Sequence, residues 1–141
     1  MATHTFKEIK DLVKNHNKST NLSDEFIICL IWKESSFDDS LKNANSTATG
    51  LMQITKPAVV DVNKSTPKGV HFTHADMTDP AKNIECGTYY LDLRIKWSKD
   101  VTKGVEGYGT GKGYAKKIFT CEECMKNVKN SAQSCLDKIH K

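Results

Sequence analysis

Ile27, Leu30 and Ile31 fall at i, i+3 and i+4 of a helical repeat, and the next position of the same stripe, i+7, is Glu34. A helix seldom aims a carboxylate at a core. Burial disfavours the charged form and raises the pKa. A carboxylic acid still protonated near neutral pH can give a proton to a leaving group, which cleavage of a glycosidic bond requires. The plainer alternative for the same spacing is a Glu34 that ends its helix and turns to solvent or pairs with a lysine.

The neighbours of Glu34 bear on that choice. Glu34-Ser35-Ser36-Phe37-Asp38 is followed, after a polar loop, by Ala48-Thr49-Gly50-Leu51-Met52-Gln53-Ile54, with Pro57 and Ala58 close behind. Further along stand Asp79-Pro80, Asn83-Ile84, Gly87 and Tyr90-Leu91, and then Gly107-Tyr108-Gly109 followed by Gly111. In order and spacing these segments resemble the signature of the soluble lytic transglycosylase (SLT) family, related to goose-type lysozyme. That signature joins an E-S-x-F helix end, a G-L-M-Q turn, a D-P-x-x-N-I-x-x-G-x-x-Y-L helix and an A-Y-N-x-G segment. The resemblance covers residues 24 to about 118. It departs at Gly109, where Asn is expected, and at Thr47, a usual Gly position. The insert from Asp61 to Asp76 and the tail from Thr120 lie outside the pattern.

The resemblance implies a mainly α, lysozyme-like fold with at most a small β element. It implies cleavage of the β-1,4 bond between N-acetylmuramic acid and N-acetylglucosamine in bacterial peptidoglycan. Glu34 would protonate the glycosidic oxygen, and Ser35 would hydrogen-bond substrate near the reacting sugar. Gln53 and the backbone at Met52 would hold an N-acetyl group, and Tyr108 would position Glu34. No metal or organic cofactor is implied. An inverting hydrolase needs a second carboxylate to activate water, yet residues 40–49 contain no Asp or Glu, and Ile54-Thr55 follows Gln53. Asp38 and Asp39 lie close to Glu34 in sequence. A lytic transglycosylase needs one carboxylate, which returns as base on the muramyl 6-hydroxyl and yields a 1,6-anhydro product. That reaction is the preferred reading. A hydrolytic muramidase on the same fold and a catalytically inactive glycan-binding module are the alternatives.

Helical periodicity dominates the elements that must position these groups. Phe6, Ile9, Leu12 and Val13 mark a first helix ending near Asn15-His16-Asn17. Asn21 or Ser23 can cap a second, with Asp24 and Glu25 at its positive end, running to about Phe37. Residues 38–50 read as loop, Thr55-Lys56-Pro57 as the start of a short helix through Val62, and residues 63–77 as loop again. Thr78-Asp79-Pro80 opens the longest helix, with Ile84, Gly87, Leu91 and Ile95 on one face. Gly104, Gly107, Gly109, Gly111 and Gly113 suggest a flexible segment, followed by one or two short helices from Tyr114 to Ile139. The strand signal is confined to Leu51–Ile54 and Val70–Thr73.

A chain of 141 residues suits one domain, here a catalytic domain over 1–141 with a cysteine-containing helical tail at 120–141. With 38% hydrophobic and 27% charged residues, the composition is that of a globular protein. No apolar run approaches the ~20 residues that span a bilayer. The net charge of +4 is dispersed, with no recognition motif for nucleic acid. The first eight residues have no apolar stretch, so no Sec signal is expected there. Together with the resemblance, this suggests a secreted antibacterial effector that works on a rival's periplasmic wall, with a cognate inhibitor protein as a further partner. A phage or conjugation enzyme is the rival biological setting.

Of five cysteines, Cys121, Cys124 and Cys135 crowd the tail. Three arrangements suit them: a disulfide across a helical hairpin turning near Asn130-Ser131, a zinc site with His140, or buried free thiols. An oxidising site of action favours one disulfide, from Cys135 to Cys121 or Cys124.

Overall fold

The computed structural model describes residues 2–109 and 112–140. Among these, seven α-helices and two 3-10 turns form, and no strand. The helices are α1 (Phe6–His16), α2 (Asp24–Ser35), α3 (Lys56–Ser65), α4 (Pro80–Ser98), α5 (Val101–Tyr108), α6 (Tyr114–Lys126) and α7 (Ala132–Asp137). The 3-10 turns are His74–Thr78 and Lys138–His140. The mainly α expectation holds. Gly111 lies outside the described residues.

The apolar run Phe26-Ile27-Ile28-Cys29-Leu30-Ile31 is buried throughout. Apolar residues on every side of a helix require neighbours on every side. Accordingly α2 is the central element, packed by α1, α6 and the C-terminal 3-10 turn. The stripe read from the sequence is therefore part of a wholly enclosed helix. Ser23 caps it, its hydroxyl accepting from the Phe26 N–H at 3.1 Å, with Asp24 and Glu25 in the first turn. It stops at Ser35 rather than Phe37, because Ser36 and Phe37 take left-handed conformations (φ 51° and 66°). Helices α1 and α3 also start on side-chain caps, from Thr5 and Thr55, and Pro57 stands in the first turn of α3.

Three expectations need correction. The glycine-rich segment is not flexible over its first part. Residues 101–108 form α5, and a Cβ at Gly104 would lie 2.7 Å from the Ile95 Cα and backbone N. The glycine therefore serves close packing of α5 on α4. Val70–Thr73 is not a strand. The Asn63 side chain takes both backbone groups of Phe72, donating to its carbonyl at 2.8 Å and accepting from its N–H at 2.9 Å. The segment is thus tied to α3 without any strand partner. At Leu51–Ile54 the β element shrinks to isolated bridges, Lys42 with Thr49 and Thr49 with Ile54.

The tail does form a helical hairpin, α6 and α7, closed by a Cys124–Cys135 disulfide. A second disulfide, Cys29–Cys121, was not foreseen and ties α6 to α2. The zinc reading fails because all three thiols are bound in disulfides and the His140 ring meets the Trp32 carbonyl at 3.2 Å. No helix among the described residues is long and apolar enough to cross a membrane.

Candidate active site

Glu34 occupies the last turn of α2, half-buried, where the left-handed pair Ser36-Phe37 turns the chain away. The Tyr114 hydroxyl, at the first residue of α6, donates to its Oε2. Burial raises the Glu34 carboxyl above the ordinary glutamate range, although the Tyr114 hydrogen bond and the Lys33 charge pull it down. Burial and the Glu34 charge push the Tyr114 hydroxyl well above the usual tyrosine value, so it stays protonated as a donor. The arrangement is a carboxyl group biased toward its acid form, with a fixed neutral donor on one oxygen.

Facing Glu34 is the turn at residues 50–53. It is closed by paired backbone hydrogen bonds between Thr49 and Ile54, at 3.1 and 3.0 Å. Gly50 adopts φ 80°, and a Cβ there would meet the Met77 carbonyl oxygen at 2.3 Å, so glycine is required twice over. Asn83 in α4, buried, holds the turn from behind. Its Oδ1 accepts from the Met52 N–H at 2.8 Å, and its Nδ2 donates to the carbonyls of Thr49 and Met77 at 2.9 and 2.8 Å. Without Asn83 the Met52 N–H would be an unpaired buried polar group. Gly87, one turn along α4, leaves room for the Met52 side chain, whose Sδ would lie 2.5 Å from an added Cβ.

The sequence-derived candidates fare differently. Glu34, Gln53 and Tyr108 line one pocket, with Thr55 and Tyr90 beside them. Gln53 sits at φ 53°, its amide donating to the carbonyls of Leu41 and Gly50, both at 3.0 Å. The Tyr108 hydroxyl goes to the Met52 carbonyl at 2.5 Å, not to Glu34, so Tyr108 braces the turn. Met52 is fully buried, its N–H bonded to Asn83 and its carbonyl to Tyr108. Ser35 is turned away from the pocket: it is buried, and its hydroxyl donates to the Ile31 carbonyl at 3.1 Å, back along α2.

Two residues escaped the sequence reading. Tyr114 is the contact to Glu34 that had been expected of Tyr108. Glu106 accepts hydrogen bonds from the N–H groups of Gly113 and Ala115, on either side of Tyr114. Glu106 had no signal; that for Tyr114 was the departure at Gly109. A Cβ there would fall 2.1 Å from the Tyr114 ring, so the missing side chain is the space that the ring fills. Other carboxylates near Glu34 in sequence are engaged elsewhere: Asp38 accepts from Ser40, and Asp39 pairs with His4 at 2.8 Å.

Comparison with known proteins places this geometry. The family profile described as Transglycosylase SLT domain matches residues 11–130. The 70 kDa soluble lytic transglycosylase SLT70 of Escherichia coli superposes with a TM-score of 0.62 at 20% identity, covering 92% of this chain and 20% of that one. A 70-kDa soluble lytic transglycosylase in complex with bulgecin A gives a TM-score of 0.61 at 20% identity, with the same coverage of 92% and 20%. An inactive mutant of the lytic transglycosylase Slt of Pseudomonas aeruginosa gives 0.54 at 17% identity, covering 93% of this chain and 20% of that one. The chain thus spans about a fifth of the length of these structures and shares their fold, as the lysozyme-like expectation required. No curated protein sequence matches it.

Proposed function

Because the chain belongs to the transglycosylase SLT domain family, we propose that it cleaves the β-1,4 bond between N-acetylmuramic acid and N-acetylglucosamine in peptidoglycan, as a lytic transglycosylase. The observation that carries this reading is the Glu34 carboxyl: raised by burial, fixed by Tyr114, and open to a pocket in which, among the described residues, it is the one carboxylate. Glu34 gives its proton to the glycosidic oxygen as the bond from C1 breaks, and the departing sugar leaves as an alcohol. The resulting carboxylate takes the proton of the muramyl 6-hydroxyl, whose oxygen closes on C1. The 1,6-anhydro ring forms, Glu34 is again protonated, and no water is consumed. Gln53 lines the pocket and suits an N-acetyl group, while Met52, fully buried, supports the turn that carries Gln53.

A single carboxylate supports transglycosylation over hydrolysis, because an inverting hydrolase must hold a second one across the sugar. The two disulfides support a site of action outside the reducing cytosol, in a periplasm or beyond the cell. An antibacterial effector held in check by a cognate inhibitor protein fits that placement.

The test is to digest purified sacculi and identify the products by mass spectrometry. Glu34→Gln keeps the shape and removes the transferable proton, so it is expected to release no fragments while remaining folded. The parent protein is expected to leave 1,6-anhydromuramyl ends. Reducing muramic acid ends alone would overturn the transglycosylase reading, and wild-type activity in Glu34→Gln would overturn the role of Glu34.

A further inference from the structure

Helix α6 begins without a cap of its own. Its N-cap is Gly113, at φ 90°, which has no side chain to offer the first N–H groups. The carboxylate that meets them comes from the neighbouring helix α5. Glu106 Oε2 accepts from the Gly113 N–H at 3.2 Å, and Glu106 Oε1 accepts from the Ala115 N–H at 2.5 Å. A negative charge at a helix N-terminus is favoured by the exposed N–H groups and the helix dipole, and charge-assisted hydrogen bonds are the strong ones. Between the two N–H groups lies Tyr114. Its backbone is therefore held on both flanks, its ring lies where Gly109 leaves room, and its hydroxyl reaches Glu34.

We infer that Glu106 is a positioning residue for the Glu34 carboxyl, acting through the N-terminus of α6 and the Tyr114 hydroxyl. The inference rests on the reading of Glu34 as the catalytic acid. Without the Glu106 carboxylate the first turn of α6 loses its cap, and the Tyr114 hydroxyl loses its fixed distance to Glu34. A displacement of about 1 Å in a catalytic array can cost a hundredfold in rate. The effect on titration has a definite sign. The groups that act on Glu34 are Tyr114 from α6 and Lys33 from its own helix, both of which favour the charged form. Tyr108 from α5, itself influenced by the Glu34 charge, and Tyr90 from α4 complete the wall around it. Loosening Tyr114 removes a hydrogen bond to the carboxylate, so the Glu34 pKa rises further. Direct loss of the Glu106 negative charge would push it the opposite way.

The experiment uses the full chain with Glu106→Ala, Glu106→Gln, Tyr114→Phe and the double variant Glu106→Ala/Tyr114→Phe. Two quantities are read: the initial rate on saturating sacculi as a function of pH, and the Glu34 carboxyl titration by carbon NMR in substrate-free protein, assigned by its loss in Glu34→Gln. Glu106→Ala is expected to slow the reaction about tenfold or more. It should also raise the Glu34 titration and move the alkaline limb of the rate profile upward. Glu106→Gln keeps one acceptor oxygen and should fall between; it carries the test if Glu106→Ala fails to fold. The double variant should be no worse than Tyr114→Phe alone. A Glu34 titration that stays put or falls in the Glu106 variants, or fully additive losses in the double variant, overturns the inference. If Glu34→Gln stays active, the acid assignment falls while the titration still decides the role of Glu106. If Glu34→Gln is dead and the titration is unmoved, only this inference falls.

Discussion

The two disulfides close loops of very different size, and this difference should be measurable. Cys29 and Cys121 are 92 residues apart, Cys124 and Cys135 only 11, and the two loops share no residue. In the chain-entropy treatment, the first bond stabilises the fold by about 4.6 kcal/mol and the second by about 2.8 kcal/mol. A domain of this size is commonly stable by only about 5–15 kcal/mol, so the larger bond is a large share of the whole. At roughly 2.1 cal/mol/K of unfolding entropy per residue, removing it should lower Tm by about 16 °C, against about 9 °C for the smaller one. The perturbation is the pair Cys29→Ala/Cys121→Ala compared with Cys124→Ala/Cys135→Ala, each unfolded in urea and by heat under oxidising conditions. Each pair loses two sulfur atoms, three of the four cysteines being buried and Cys124 partly so. The first pair should also lose more activity, because its bond joins α2, which carries Glu34, to α6, which carries Tyr114. Equal costs, or a larger cost for the tail pair, would refute the reasoning.

Burial raises the Glu34 pKa above its ordinary 4.5, so the stability tied to its proton is fully present below that value and is lost as pH rises through the folded value. Glu34→Gln cannot ionise and should therefore gain stability relative to the parent as pH rises above 4.5, read from urea midpoints; a constant difference would contradict the raised pKa. Gly87→Ala places a Cβ 2.5 Å from the Met52 Sδ and 2.8 Å from its Cε. Overpacking of this kind costs about 1–3 kcal/mol and should slow the enzyme as the turn shifts, so unchanged Tm and rate would argue against it. Gly109→Asn restores the residue expected from the family pattern, yet it should lower activity on sacculi by displacing the Tyr114 ring from Glu34. Improved turnover would show that the ring has somewhere else to go.

Much of the fold was legible because its signals are local. Ser23, Thr55 and Pro57 announce helix starts within a few residues of themselves, and the stripe of Ile27, Leu30 and Ile31 announces the helix between Asp24 and Ser35. What failed depends on partners far along the chain. Val70–Thr73 has the residue types of a strand, but its backbone is met by Asn63 rather than by another strand. Gly104 reads as flexibility in isolation and proves to be a contact with the Ile95 backbone. The Cys124–Cys135 bond could be foreseen because a hairpin brings near neighbours together. The Cys29–Cys121 bond needs the packing of α2 on α6, which no spacing encodes.

The site divides along the same line. Glu34 was legible because the stripe that aims it inward lies in its own helix, and the turn at 50–53 because its glycine and glutamine stand together in sequence. Ser35 shares that helix with Glu34, yet a step of one residue turns it about 100° around the axis, onto the α2 backbone and away from the pocket. Tyr114 lies 80 residues from the carboxyl it binds. The residue that betrays it is Gly109, which looks like a loss when set against the Asn of the family pattern. A side chain removed beside a buried acid leaves a void, and a packed interior fills its voids. Here the filling is an aromatic ring with a hydroxyl at the right end. Gly109, Tyr114 and Glu106 therefore form one arrangement: the glycine makes the space, the tyrosine occupies it, and the glutamate holds the helix from which the tyrosine reaches.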